Sequence, residues 1–191
     1  NENLKVVDIT VEEQPTGEIT LAAGVGSSGS TIGGGITEKN FLGKGINLKT
    51  NLELSEDKVK GQFVYSKPNF NYSDNTLFTS IKSSNTDRIT DFGYETTDYG
   101  FSIGTRFEQY ENLFFSPEID LSIEDLKTTS KASTNLKKQA GNYEDFYFNY
   151  SLDYDMRNAS YKPSSGYKTS FYQTLPIISG NNEIENTLIL T

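Results

Sequence analysis

From about residue 17 onward, hydrophobic and polar residues take turns along the chain with a period of two. The clearest stretch runs from Phe146 to Arg157. One face reads Phe146, Phe148, Tyr150, Leu152, Tyr154, Met156; the other reads Tyr147, Asn149, Ser151, Asp153, Asp155, Arg157. A period of two places successive side chains on opposite sides of a β-strand. Strands in water-soluble domains usually run about 5–6 residues, whereas a strand that crosses a bilayer needs about 9–11. This one is long enough to cross.

The same split recurs at Ile46–Leu54, Tyr99–Phe107, Phe115–Glu124 and Tyr167–Leu175, with weaker alternation near 17–26, 31–38, 58–66, 76–83 and 183–191. The pattern predicts about nine strands and the start of a tenth, separated by turn signals. Alternation alone also fits a β-sandwich with one wet face. Three features favour a membrane barrel: the strands are long, the charges Lys49, Glu53, Glu118, Asp120 and Asp153 keep to one face, and Phe41, Phe70, Tyr72, Tyr110, Phe114, Tyr161 and Tyr167 gather at strand ends. Aromatic girdles of that kind sit at the two membrane surfaces.

The connections fall into two sets. Glu38–Gly45, Ser66–Asn75, Glu108–Asn112 and Arg157–Gly166 carry Asn, Pro and Gly beside an aromatic. The intervening loops Ser27–Ser30, Ser55–Asp57, Ser83–Asp98, Lys127–Asn142 and Ser179–Asn182 are polar. Short anchored turns at one end and variable polar loops at the other match the periplasmic and extracellular ends of a barrel. The Lys127–Asn142 segment is low in complexity; it reads as a solvated loop, and Lys131, Lys137 and Lys138 are also candidates for lipopolysaccharide phosphates.

Composition supports a polar interior. The chain has 191 residues, a formal charge of −9, 34% hydrophobic residues and 13% aromatics, all Tyr and Phe. That balance argues against nucleic acid, whose binding needs a basic face. A barrel keeps its apolar side toward lipid and its inside polar, so it needs less hydrophobic content than a soluble core. With no Cys and no His, disulfides, thiol chemistry and histidine-dependent catalysis are unavailable. No run of about 18 apolar residues marks a transmembrane helix. No signal peptide is visible at Asn1, so the chain reads as mature or excised.

The first fifteen residues differ: Leu4–Pro15 reads as a strand closing another domain, joined to the first barrel strand through Gln14-Pro15-Thr16-Gly17. Val7-Asp-Ile-Thr-Val-Glu-Glu-Gln-Pro-Thr-Gly17 resembles the end of the last periplasmic domain of the BamA family of outer-membrane assembly factors. Asn40, Phe41, Leu42, Gly43 and Gly45 resemble the family's first periplasmic turn, N-[FW]-L-G-x-G. Pro68 and Phe70 resemble its second turn, with Asn69 standing where an aromatic is usual, and Pro163 and Gly166 resemble its P-x-x-G turn. These matches follow the family's order over nearly the whole chain.

The resemblance implies an all-β, antiparallel transmembrane β-barrel of about sixteen strands, of which this chain supplies the N-terminal portion, about nine to ten strands. Residues 1–15 would be the C-terminal strand of the last periplasmic (polypeptide-transport-associated) domain, and 16–191 the N-terminal part of the barrel. The chain stops within a strand at Leu190-Thr191 and lacks the family's R-G-[FY] loop motif, so its wall is expected to need further chain to close. The implied activity is assembly and insertion of β-barrel proteins into the bacterial outer membrane. The implied partners are unfolded outer-membrane protein clients, accessory lipoproteins, lipid and lipopolysaccharide.

The residues expected to do this work form the first strand: Gly17, Glu18, Ile19, Thr20, Leu21, Ala22, Ala23, Gly24 and Val25. Seven of the 16 glycines (17, 24, 26, 29, 33, 34, 35) fall in the first hairpin. Glycine inside a strand weakens it or marks a bend, and a weak, exposed edge is a template to which another strand can add through its main chain. No catalytic residue, metal or cofactor is expected. Gly24-Val-Gly26-Ser-Ser-Gly29 spells a dinucleotide pattern, but no helix-forming stretch follows it. The pairs Glu118/Asp120 and Asp153/Asp155 read as polar-face residues rather than acid–base pairs, and the spacing of Glu183 and Glu185 fits no calcium loop. A competing expectation is a secretion barrel that passes polypeptide across the membrane without inserting it.

Overall fold

In the computed structural model, the described residues are 8–12, 14–26, 29–178 and 185–191. Ten strands form a single sheet in chain order: β1 (Gly17–Gly26), β2 (Gly29–Phe41), β3 (Ile46–Ser55), β4 (Lys58–Lys67), β5 (Thr76–Arg88), β6 (Tyr94–Tyr110), β7 (Leu113–Thr128), β8 (Gly141–Asp155), β9 (Lys168–Ile178) and β10 (Glu185–Leu190). Every neighbouring pair is antiparallel. The sheet does not close on itself, and β1 and β10 are its two edges.

The registers carry one side-chain face from β1 to β8. Ile19 lies opposite Ile36, then follow Thr50, Phe63, Ile81, Phe101, Leu121 and Phe146, each paired with the next. The row one residue away reads Thr20, Gly35, Asn51, Gln62, Lys82, Gly100, Ser122 and Asp145. Because side-chain parity is kept along these rows, the hydrophobic face stays continuous from strand to strand.

Burial runs opposite to that of a water-soluble protein. The buried polar side chains among the described residues, Ser102, Ser116, Asn149 and Asp153, all lie on the polar face. The apolar face stays exposed: Leu21 is 85%, Val25 88% and Ile81 56% accessible. Among the described residues only Leu126 and Ala132 are buried hydrophobics, both near the polar loops. A sandwich would bury its aliphatic face in a second sheet; no second sheet is present among the described residues. The inversion fits an apolar surface meant for lipid and a crowded polar interior.

Aromatic side chains line the outer face of β6–β9. Phe107 meets Phe115 edge-on at 5.7 Å between ring centroids, Phe115 and Tyr150 lie 6.0 Å apart, and Tyr150 and Phe171 6.0 Å. Tyr154 packs on Tyr167 nearer the turn, at 6.0 Å. Tyr72, Tyr110 and Tyr161 are exposed at the turn end, as the girdle requires. Phe114 departs from that expectation: it belongs to the polar face, where the Arg106 guanidinium sits 4.7 Å over its ring.

Several boundaries differ from the periodic reading. Much of Ser83–Asp98, and the two ends of Lys127–Asn142 (Lys127, Thr128, Gly141 and Asn142), are strand rather than loop, because β5–β8 run past the hydrophobic belt. An antiparallel ladder satisfies its own N–H and C=O groups whatever side chains it carries, so polar composition masked the extension. Between β5 and β6 lies the single-turn helix α1 (Ile89–Phe92), and between β7 and β8 the short helix α2 (Thr134–Gln139). The strand at Phe146 begins earlier, at Gly141, and ends at Asp155; Met156 and Arg157 belong to the following turn. In the leading segment, residues 8–12 and 14–16 are exposed and carry no strand, and 1–7 and 13 lie outside the described residues. Gly29 and Ser30 are strand, while the rest of the expected Ser27–Ser30 loop, and Ser179–Asn182 with Glu183, lie outside the described residues.

Candidate functional site

All ten residues of β1 are exposed. Its ladder to β2 is unbroken from Gly17 opposite Glu38 to Gly26 opposite Gly29. Its other edge meets no strand among the described residues. At the turn end the hairpin is fastened by Glu38, whose carboxylate accepts from the Thr16 hydroxyl and, at 2.9 Å, from the Asn40 amide; the Lys39 amide also donates to the Thr16 carbonyl at 3.2 Å. Beyond that fastening, side chains contribute little. The one bond from a β1 side chain to β2 is the long contact from the Thr20 hydroxyl to the Gly35 carbonyl, 3.5 Å.

The hairpin's glycines fall into two groups. Gly35 is needed for space: a Cβ there would stand 2.8 Å from Asn51 Oδ1 and 2.9 Å from Thr20 Oγ1. Gly34 would press on Leu21 at 3.2 Å. Gly24 and Gly26, on β1 itself, have nothing within 4 Å of a modest side chain and no left-handed backbone. Within the described residues, neither crowding nor a bend calls for glycine at those two positions. On the polar side of this region a concavity of about 350 Å³ is lined by Thr20, Ala22, Gly33, Gly35, Asn51 and Gln62, among others.

The turn residues singled out from sequence have clear local roles. Asn40 Oδ1 accepts the Gly45 amide at 2.7 Å, and Leu42 and Gly43 are both left-handed, with φ of 55° and 69°. Paired positive φ values define the tight primed turn whose twist suits a hairpin; Gly45 at 64° completes it. Phe41 remains in β2, half-exposed at the end of the strand. In the second turn Pro68 leads into Asn69, which is left-handed at φ 52°, and the Phe70 amide donates to the Asn75 carbonyl at 2.8 Å. Asparagine tolerates that backbone better than an aromatic does, so its presence at 69 suits the local geometry. In the last turn Asn158 Oδ1 accepts from the Ser164 and Ser165 amides at 3.1 and 3.2 Å. Pro163 lies inside this loop, and Gly166, at φ 95°, is pressed against the Met156 carbonyl so that a Cβ would collide with it.

Opposite in character is the polar face of β6–β9, a feature that strand-by-strand reading missed. Arg106 Nη1 donates to Asp153 Oδ2 at 2.5 Å and to the Ser116 hydroxyl at 3.3 Å. The Ser170 hydroxyl donates to Asp153 Oδ1 at 2.5 Å, and Lys168 Nζ stands 3.7 Å from the same oxygen. Nearby, Arg157 forms a two-pronged contact with Asp155, at 2.8 and 2.7 Å. Asp120 pairs with Lys82 at 3.2 Å. Of the carboxylates set aside as acid–base candidates, Asp120 and Asp153 therefore lie in ion pairs that tie strands together, and Asp155 pairs locally with Arg157. No group of His, Cys, Asp or Glu able to hold a metal ion occurs among the described residues.

The lysine-rich connection is partly folded. Lys131 Nζ donates to the Thr90 carbonyl at 3.2 Å, Lys137 Nζ to the Ser130 carbonyl at 2.7 Å, and the Thr129 amide to the Gly93 carbonyl at 2.8 Å. Ala132 is buried against Gly93. The two connections at this end thus pack on each other instead of trailing separately into solvent.

An antiparallel ten-stranded wall with a lipid-type outer face and a paired polar face is the wall of a transmembrane β-barrel. Comparison with known proteins agrees: the Omp85 superfamily domain matches residues 40–187, and the chain belongs to that superfamily. Its fold is similar to that in the crystal structure of BamA from Haemophilus ducreyi lacking POTRA domains 1–3, with a TM-score of 0.66 at 24% identity. That match covers 90% of this chain, which spans 36% of the other's length. No curated protein sequence matches the chain.

Proposed function

We propose that this chain forms the N-terminal part of the barrel of an outer-membrane assembly factor, which inserts other β-barrel proteins by letting their strands add to β1. The observation that carries the reading is how lightly side chains bind β1 to β2: one long contact from Thr20, a fastening outside the strand at Thr16–Glu38, and glycines at 24 and 26 that nothing in the described residues requires. Bare N–H and C=O groups facing lipid cost several kcal/mol each, so a seam that opens at β1 gains by accepting a strand. Main-chain pairing makes few demands on side chains, which suits a machine that handles many clients. Client folding supplies the driving force, and neither nucleotide nor cofactor takes part.

Membership of the Omp85 superfamily supports the outer membrane as the site of action. The partners in this reading are unfolded outer-membrane clients, accessory lipoproteins of the assembly complex, and outer-membrane lipid including lipopolysaccharide.

The test places single cysteines at Ile19, Leu21, Ala23 and Val25 of the intact subunit and presents a client precursor stalled during assembly. Disulfide or bifunctional crosslinks to client cysteines are expected along β1. Transport of polypeptide with no crosslink at any register would favour a secretion barrel instead.

A further inference from the structure

Two neighbouring recesses at the turn end of the wall carry opposite charge. The β2–β3 and β4–β5 turns enclose a concavity of about 520 Å³ lined by Lys44, Lys67, Pro68, Asn69, Phe70 and Tyr72, among others. The next concavity, toward the β6–β7 turn, is lined instead by Asp74, Asn75, Glu108, Tyr110 and Glu111. An aromatic girdle needs amphipathic side chains at the membrane surface; it does not need charges sorted into adjacent recesses. In a chain of formal charge −9, the cationic recess stands out.

Lys67 is placed for the membrane surface. It shares the parity of Phe63 and Tyr65 on β4 and lies opposite Leu77 of β5, so its side chain leaves the wall on the lipid side, at the margin of the apolar belt. A lysine there lays its stem along apolar surface and carries its ammonium to headgroup level. Neither Lys67 nor Lys44 pairs with a carboxylate among the described residues; the ion pairs there use Lys82, Arg88, Arg106, Lys127, Arg157 and Lys168.

Tyr72 completes the recess from a strained position. Its φ is 59°, after Asn69 at 52° and Asn71 at 54°. A left-handed backbone is unfavourable for a bulky residue, and Tyr72 is fully exposed, so packing within the fold does not offset the strain. The turn is still well fixed, because the Ser73 amide and hydroxyl both donate to the Phe70 carbonyl, at 3.2 and 2.6 Å. It holds an aromatic ring outward at a recess that also carries two unpaired ammonium groups.

We propose that this recess binds the headgroup of an anionic phospholipid in the periplasmic leaflet, with Lys44 and Lys67 on the phosphodiester and Phe70 and Tyr72 against the glycerol and upper acyl chain. The assignment rests on the outer-membrane reading of the wall and is independent of strand addition at β1. Lysine meets phosphate as a point charge, and two of them favour a headgroup of net negative charge over a zwitterionic one, whose own ammonium they repel. The bound lipid holds the turn end of β2–β5 at the membrane surface.

The test uses the intact subunit in nanodiscs of phosphatidylethanolamine doped with headgroup-photoreactive phosphatidylglycerol, with labelled peptides mapped by mass spectrometry. Label is expected on residues 42–45 and 67–73 and little on 108–112, where carboxylates face the same leaflet. Photoreactive phosphatidylethanolamine should label the recess several-fold less. Lys44→Gln with Lys67→Gln should lower phosphatidylglycerol labelling about tenfold, the scale of two surface lysines acting on one anionic headgroup. Lys44→Arg with Lys67→Arg should retain it, and both double variants should match the parent in urea resistance. Tyr72→Gly suits the backbone but removes the ring, so it should raise the urea midpoint and lower the labelling.

Undiminished labelling of the folded glutamine variant, or label spread evenly over all turns of this end, would overturn the assignment. So would loss of labelling in millimolar inorganic phosphate, which marks a general anion site, or labelling that vanishes when accessory proteins are present, which gives the recess to a protein partner. If the parent takes no label at any turn, the outer-membrane reading itself fails; if the turns label without favour to the recess, only the headgroup site fails.

Discussion

The first hairpin and the β6–β9 wall are built from the same antiparallel ladder and held by different means. Between β6 and β9, strands of 17, 16, 15 and 11 residues are cross-linked on one face by Arg106, Asp153, Ser170 and Lys168 and on the other by a row of aromatic rings. Between β1 and β2, small side chains leave the main-chain ladder with little reinforcement beyond Thr16–Glu38. Backbone pairing alone thus suffices to shape a barrel wall, and side chains decide which seams are durable. A machine that must open needs that difference; a passive wall does not.

The sharpest way to break the contrast is at its rigid side. Gly166→Val should be the most damaging substitution, since its Cβ would collide with the Met156 carbonyl at a left-handed backbone position; a loss of about 3 kcal/mol or more is expected, read as a lowered urea midpoint in detergent or lipid. Asp153→Ala strips Arg106 and Ser170 of their shared partner. Because the Arg106 side chain is 37% accessible, solvent softens the effect, and about 1–3 kcal/mol is expected. A double-mutant cycle with Arg106→Gln checks that the loss is shared between the two side chains.

Substitutions in the hairpin should be gentler and differ in sign from one another. Gly35→Ala must displace Asn51 or Thr20 and should destabilise by about 1 kcal/mol. Gly24→Ala enters open space, so it should stabilise the hairpin by about 0.5–1 kcal/mol while slowing client assembly, measured as the rate at which a labelled client becomes protease-resistant. Smallest is Asn69→Ala, which loses only asparagine's tolerance of a left-handed backbone and should cost under about 1 kcal/mol in the same urea assay.

Much of this was legible in the residues. Alternation at Phe146–Tyr154 and Tyr99–Phe107 marked the strands and which face they turn to lipid, because side-chain parity is a property of the chain itself. Gly45 and Gly166 were recognisable from the turn motifs, since few other residues fit their backbone. What stayed hidden depends on which strands are neighbours. Arg106 and Asp153 lie 47 positions apart in sequence and meet only across β7. The strand extensions through Ser84–Arg88 and Tyr94–Asp98 carry no apolar stripe, so the pattern fell silent where main-chain pairing continued. Phe114 looked like a girdle residue until its place opposite Asp153 and the nearby guanidinium put it on the polar face.

The measurement that bears most directly on the contrast is amide hydrogen exchange of the intact protein in lipid nanodiscs, comparing peptides from residues 17–41 with peptides from 94–155. The account predicts that β1–β2 amides exchange at least tenfold faster than those of β6–β8, as expected where opening is local and side chains add little. Equal protection of the two regions would contradict it, since a seam as firm as the opposite wall offers no entry to a guest strand.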